Sequence, residues 1–276
     1  MSFFLGPNST AAGYRLFAHD SVGSTSAEAL ALARAGDSGR VWITAHEQTA
    51  GAGRRGRVWQ TPRGNLAASV FVVAKTSTGR AATLGFVAGL SLMDALAAVA
   101  PALVVETAID GAAGGKSRLA LKWPNDLVTD SGAKIAGILL QAERLADDRI
   151  GIVAGIGVNV TAAPGGTEVP ATCLAALGCH VSPETLFAEL AESWLEHMRI
   201  WDNGAGLPEI RTQWMKRARG IGEEVAIRAG AEIVRGRFET IDDDGRLVVR
   251  TADGQARKIT AGEVHLGAVA SLRSAG

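Results

Sequence analysis

The chain has 276 residues, 47% of them hydrophobic, enough to bury one large core with a smaller second one and too apolar for a disordered chain. Lys and Arg number 28, as do Asp and Glu, so no net basic field draws in nucleic acid or an anionic membrane. The opening MSFFLGPNSTAAGY lacks a basic start followed by a long apolar run, and apolar stretches elsewhere are interrupted before roughly 18 residues, so an unexported, cytoplasmic chain is expected.

Thr25-Ser26-Ala27-Glu28 reads as a capping box ahead of an Ala/Leu-rich helix that Gly36 ends. Val41 to Ala45 reads as a strand, Gly51 to Gly64 as a Gly/Arg-rich loop, and Leu66 to Val73 as a second strand. Arg80 to Val99, closed by Pro101, suits a buried helix, and a flexible Gly/Ala passage follows at Gly111 to Gly115. Leu119 to Trp123 alternates like a strand that Pro124 breaks. Asp130-Ser131-Gly132 then reads as a hairpin turn feeding a strand from Ile135 to Gln141, with another at Ile150 to Val158. Ser182-Pro183-Glu184 opens a helix with Leu186, Phe187, Leu190, Trp194, Leu195 and Met198 on one face.

From about Gly222 the texture changes to short strands at Glu224 to Arg228, Glu232 to Thr240, Arg246 to Arg250, Ala256 to Thr260 and Glu263 to Leu266. Asp244-Gly245 and Asp253-Gly254 are the turn signals between them. The expected architecture is an α+β catalytic domain over residues 1–220 and a small β-barrel over 221–276. Cys173 and Cys179 have no Cys or His partner at ligand spacing and read as reduced structural thiols. The five histidines are scattered, so sequence neighbours do not assemble a metal site.

Three segments come close to nucleotide motifs. Gly51-Ala52-Gly53-Arg54-Arg55-Gly56 matches the dinucleotide fingerprint in letters, but Val58, Pro62 and Gly64 oppose the helix that fingerprint must open. No acidic residue between Glu47 and Asp94 is placed to hold a ribose. Asp110 to Ser117 resembles a P-loop but runs into strand-like sequence, which favours a surface turn. Gly155-Ile156-Gly157-Val158-Asn159 suggests close approach of backbone to a ligand or to another strand. The Gly51 to Arg57 loop itself joins three glycines to Arg54, Arg55 and Arg57. It can wrap an anion through close N–H approach and guanidinium forks, or be a mobile basic surface loop.

That loop, together with Lys122-Trp123-Pro124-Asn125-Asp126 and the later Lys134-Ile135-Ala136-Gly137-Ile138-Leu139, resembles the catalytic domain of the biotin protein ligases. The resemblance runs nearly end to end, because Ile241-Asp242 through Gly245-Arg246-Leu247 and Gly262-Glu263-Val264 are similar to turns of that family's C-terminal domain. It implies a mixed-sheet catalytic domain followed by a small SH3-like β-barrel. It further implies an ATP-dependent ligase that forms biotinyl-5′-AMP and transfers biotin to a lysine of a biotin carboxyl carrier protein, with Mg²⁺ as cofactor. Roughly twenty residues precede Ser24, too few for the DNA-binding module of the family's long members, so no nucleic-acid or membrane partner is expected and a homodimer is left open.

Residue by residue, the resemblance implies that Ser24, Thr25 and Ser26 bind biotin, Ser26 standing where the family usually has Asn. Gln48, Gly51, Ala52, Gly53 and Gly137 join them, with Ala52 in the place of the family's first loop arginine. Arg55, Arg57, Trp59, Lys122, Asn125 and Asn159 would hold ATP, Trp59 packing on adenine. Arg54 and Lys134 would touch both ligands and carry the catalysis. Asp126 is a candidate for Mg²⁺ or for orienting a neighbour, with a local turn cap as the competing explanation. The alternatives are a biotin-binding sensor with weak ligase activity, suggested by Ser26 and Ala52, a lipoate-type ligase, and a nucleic-acid module built on the arginine loop.

Overall fold

The computed structural model describes residues 2–104, 119–145, 148–167, 169–230 and 232–266; the P-loop-like Asp110 to Ser117 and the Gly111 to Gly115 passage lie outside them. In chain order the first part forms α1 (Pro7–Ala11), β1 (Arg15–Val22), α2 (Thr25–Arg34), β2 (Val41–Gln48), β3 (Leu66–Ala74), α3 (Thr78–Ala82) and α4 (Leu84–Val99). It continues with β4 (Leu119–Lys122), β5 (Asp126–Thr129), β6 (Lys134–Arg144), β7 (Ile150–Val158), α5 (Pro183–Trp201) and α6 (Leu207–Lys216). The strands lie in the order β1-β2-β3-β7-β6-β5-β4. β1 and β2 run parallel because α2 carries the chain between them, and every other neighbouring pair is antiparallel, so the sheet is mixed.

Side chains alternate across this sheet and divide its core in two. Trp42, Val70, Val72, Ile152, Ala154 and Ile156 face α4 and α5, while Val41, Ile43, Phe71 and Val153 face Ala29 and Ala33 of α2. The segment Thr78–Val99 is long and apolar enough to cross a membrane, yet most of its apolar stretch is buried inside the protein, and it serves as a core helix. It breaks at Thr83, whose hydroxyl donates to Arg80 O (2.6 Å) and accepts the Trp201 indole N–H (2.8 Å). The single helix expected from Arg80 is therefore two. Ser182 caps α5 by accepting the Thr185 N–H at 3.1 Å, and buried Trp194 on its apolar face donates to Tyr14 Oη at 3.0 Å.

The second part is β8 (Glu224–Ala229), β9 (Glu232–Ile241), β10 (Leu247–Arg250), β11 (Ala256–Ile259) and β12 (Glu263–Leu266), an antiparallel SH3-like unit in the order β11-β10-β9-β8-β12. Its β9–β10 turn docks on the larger part: a Cβ on Gly245 would lie 3.0 Å from Phe86, and the Gly245 carbonyl accepts the Trp123 indole N–H at 3.4 Å. Arg211 of α6 reaches Ile241 O (3.2 Å) and Asp243 (2.6 Å), and residues after α6 pair with β4 through Leu121 N–H to Arg217 O at 2.9 Å.

Candidate active site

On the α2 side of the sheet, side-chain volume falls along β3 and β7. Phe71 opposite Val153 gives way to Ser69 opposite Gly155, and then to Ala67 opposite Gly157, with Gly137 of β6 beside Gly157. From the first turn of α2 outward these small residues leave a flat floor, and above it lies a cavity of about 570 Å³. The same volume pattern was visible in the sequence only as glycines of uncertain purpose.

The Gly/Arg segment, expected as a loop, is a narrow ribbon over this floor. Gln48 bridges Thr61, Ala52 bridges Val58, Gly51 O accepts the Trp59 N–H at 2.9 Å and Arg57 O accepts the Gly53 N–H at 2.7 Å. A short 3-10 turn over Arg54–Gly56 reverses it, with Arg55 at φ +57° and Gly56 at φ +73° in the left-handed region. No long helix opens there, in keeping with the rejected dinucleotide reading. Gly51 does not line the cavity: it is buried, and a Cβ there would lie 2.3 Å from Trp59 O, so its work is to let the ribbon close.

Trp59 hangs from the ribbon onto the floor. A Cβ on Gly157 would come within 2.3 Å of its Nε1, and one on Gly137 within 3.2 Å of its ring. Lys134 Nζ sits 5.5 Å from the indole centroid and makes an ion pair with Asp126 at 2.6 Å. Asn125 stitches three parts together. Its carboxamide oxygen accepts from Arg54 Nη1 (2.9 Å), its Nδ2 donates to Ile138 O (2.7 Å) and its backbone carbonyl accepts the Ile138 N–H (2.8 Å). β5, which the sequence left unread between the Pro124 break and the turn, brings Asp126 opposite Gly137. Lys122, Arg55 and Arg57 complete the cationic end of the lining.

The other end is neutral and polar. Ser24 caps α2, its Oγ accepting the Ala27 N–H at 3.4 Å. Gln48 Oε1 accepts both the Thr25 N–H (2.9 Å) and the Thr25 hydroxyl (3.1 Å), while Gln48 Nε2 donates to Thr61 Oγ1 (3.0 Å). Ser69, buried on β3, lies 2.8 Å from Thr25 Oγ1 and 3.0 Å from Ser26 Oγ. Apart from Gly51, every residue expected at the site from sequence lines this one cavity, Ala52, Gly53 and Asn159 included.

Asn159, at the end of β7, donates through Nδ2 to Thr172 O at 3.1 Å, and its buried Oδ1 has no hydrogen-bond partner among the described residues. The turn that follows it is held by Asn65, which the sequence did not flag. Asn65 Oδ1 accepts the N–H groups of Val160 (3.0 Å), Thr161 (3.0 Å) and Ala162 (3.1 Å), and its Nδ2 donates to Ala162 O (2.8 Å). Gly262 and Val264 of the SH3-like unit form part of the cavity wall. Among the described residues no group of three or more His, Cys, Asp or Glu could hold a metal by itself. Asp126 is the carboxylate beside the cationic end, and it suits a Mg²⁺ carried in by phosphates, an ion that commonly takes one or two protein carboxylates.

Residues 25–159 match the model of the biotin/lipoate A/B protein ligase family, and residues 220–267 match the biotin protein ligase C terminal domain. A biotin–[acetyl-CoA-carboxylase] ligase of Paracoccus denitrificans is 38% identical over 250 residues, covering 88% of this chain and 97% of that one. The enzyme of the same name from Mycobacterium tuberculosis is 35% identical, covering 88% and 85%. Among solved structures, the biotin protein ligase of Aquifex aeolicus in complex with biotin and ATP superposes with a TM-score of 0.69 over 92% of this chain and 98% of that one. At 24% identity it speaks for the fold.

Proposed function

Because this chain belongs to the biotin/lipoate A/B protein ligase family, we propose that it is a biotin protein ligase. It joins biotin to ATP as biotinyl-5′-adenylate and passes the biotinyl group to a lysine of a biotin carboxyl carrier domain, that of acetyl-CoA carboxylase or another biotin-dependent carboxylase. The observation that carries this reading is the polarity of one continuous cavity, with hydroxyls and a carboxamide at the Ser26 and Gln48 end and ammonium and guanidinium groups at the Lys134 and Arg54 end. Biotin has the same polarity, a neutral ureido ring at one end and a carboxylate at the other, and the glycine floor between suits its slim apolar chain.

In the first step a carboxylate oxygen attacks the α-phosphorus of ATP and the bond to pyrophosphate breaks. In the second, a neutral lysine amine attacks the acyl carbon, AMP leaves and the nitrogen loses a proton. Two anions must meet in the first step, so Lys134 and Arg54 act by placing positive charge where carboxylate and phosphate approach. Arg55, Arg57 and Lys122 face the phosphates and Asn125 holds Arg54 in place. Trp59 offers an indole face to adenine, and the unpartnered Oδ1 of Asn159 is an acceptor for its exocyclic amine. Mg²⁺, when bound, supplies charge neutralisation on the phosphates, with Asp126 as its protein ligand.

We assign residues 1–220 to catalysis and 221–276 to an accessory unit, and read the protein as cytoplasmic with its acceptor domain as partner. Ser26 and Ala52, at positions where the family usually has Asn and Arg, keep a biotin sensor with weak transfer as the second reading. The test is a reaction of the protein with biotin, ATP, Mg²⁺ and an apo carrier domain, read by mass spectrometry, with lipoate in parallel. A biotinylated lysine is expected; biotin binding without transfer would identify a sensor, and lipoylation would overturn the pocket assignment.

A further inference from the structure

We propose that Ser69, which no motif in the sequence singled out, fixes the hydrogen-bonding sense of the cavity's neutral end, so that Ser26 meets the ligand solely as an acceptor and selects a ureido N–H. The inference rests on the biotin ligase reading above and follows from counting protons along one chain of contacts.

The Thr25 backbone N–H can only donate, so the Gln48 atom 2.9 Å from it must be the carboxamide oxygen. That oxygen can only accept, so the Thr25 hydroxyl, 3.1 Å away, gives it its one proton. Thr25 Oγ1 has then only lone pairs left for Ser69, and Ser69 donates across the 2.8 Å contact. Ser69 in turn has only lone pairs left for Ser26, and Ser26 donates across 3.0 Å. The chain ends at a Ser26 Oγ whose proton is committed, so that at the cavity it lines this oxygen has only lone pairs to offer. A bare strand position makes this reach possible: a Cβ on Gly155 would stand 2.4 Å from Ser26 Oγ and push it off Ser69.

A serine in open solvent could turn its O–H either way and accept either a donor or an acceptor from the ligand. Here a ligand acceptor at that point would meet a lone pair with no proton to offer. Ser69→Ala removes the relay and frees the Ser26 hydroxyl to rotate toward the cavity. Its expected signature is a relaxed choice between donor and acceptor at that point of the ligand, with kcat at saturating biotin and the KM for ATP unchanged.

The deciding measurement is biotin-dependent pyrophosphate release with biotin and with two cyclic carbamate analogues, each replacing one ureido N–H by a ring oxygen. The unmodified protein should reject one of the two by a hundredfold or more, on the order expected of a site that leaves a buried polar group unpaired. In Ser69→Ala that preference should shrink at least tenfold; retention of the full preference overturns the proposal. Ser26→Ala, at the cavity surface, must lose the same preference, which keeps the question answerable if Ser69→Ala fails to fold. If the unmodified protein adenylates nothing, the ligase reading fails by itself, and the same preferences read by calorimetric binding of biotin and the carbamates still decide the role of Ser69.

Discussion

β3 and β7 carry two regions of opposite purpose on one face. Under α2, Phe71 and Val153 pack with Ile43, Ala29 and Ala33 into a closed cluster; a few residues along the same strands, Ala67, Gly155 and Gly157 leave a floor. Backbone, register and neighbours are continuous between them. The difference teaches that a binding surface here is a core from which the side chains have been withheld, with the ribbon and Trp59 taking the place that a helix takes next door.

The comparison breaks most visibly through Phe71→Ala. Truncating this fully buried ring should cost about 3 to 5 kcal/mol of stability in denaturant titration, while the folded fraction keeps its KM for biotin. A shift in KM to match would mean the two regions are not separable. Lys134→Ala inverts the outcome: melting should barely change, and pyrophosphate release should fall by about 2 to 4 kcal/mol of transition-state stabilisation. An unchanged rate would remove Lys134 from catalysis. Gly157→Ala sharpens the contrast, since its Cβ would sit 2.3 Å from Trp59 Nε1. About 1 to 3 kcal/mol of overpacking should appear as a weaker ATP KM, because the half-exposed indole can move; loss of melting temperature with an intact KM would contradict this.

The smallest effect comes from the layer behind the sheet. Asp94 of α4 meets His197 Nε2 and Arg217, each at 2.7 Å. Burial pushes its carboxyl up, but the His197 hydrogen bond and the Arg217 charge together outweigh this and hold it below the ordinary value. Above that ordinary value Asp94 is ionised folded or unfolded, and its contribution is complete. As pH falls below it the unfolded chain takes the proton first, and the contribution disappears as pH passes the folded value. Asp94→Asn should therefore flatten the acid end of the stability profile by about 1 kcal/mol, the side chain being partly exposed, without touching the floor. An unaltered acid profile would show that the contact is not felt.

The strands β2, β3 and β7 were legible because burial on both faces makes them largely apolar runs, β6 because an apolar run follows a turn signal, and α5 because its apolar residues recur at helical spacing. β1 was not, since an edge strand reading RLFAHDSV is exposed or half-exposed along its whole length and carries no alternation. β5 is four residues wedged between a proline and a turn, and α6 packs only Leu207, Ile210 and Trp214 inward, too sparse a pattern to notice. At the site, residues with distinctive chemistry declared themselves through glycine, arginine and lysine. Ser69 and Asn65 did not: each is an ordinary polar residue until α2 packs Thr25 and Ser26 over Ser69 and the pairing of β3 with β7 brings Asn65 to the turn after β7.

Asn65 has an electrostatic consequence. Three consecutive N–H groups after β7 converge on one point, a geometry that elsewhere forms a cradle for phosphate, but the point is already filled by the neutral carboxamide oxygen. An anion therefore finds no vacant nest at this turn, and charge at the cationic end of the cavity is matched by lysine and arginine side chains. Such pairing is screened by salt, whereas the proton chain from Gln48 to Ser26 is not. Ionic strength thus becomes a handle that loosens the nucleotide and the biotin carboxylate while leaving the grip on the ureido ring intact.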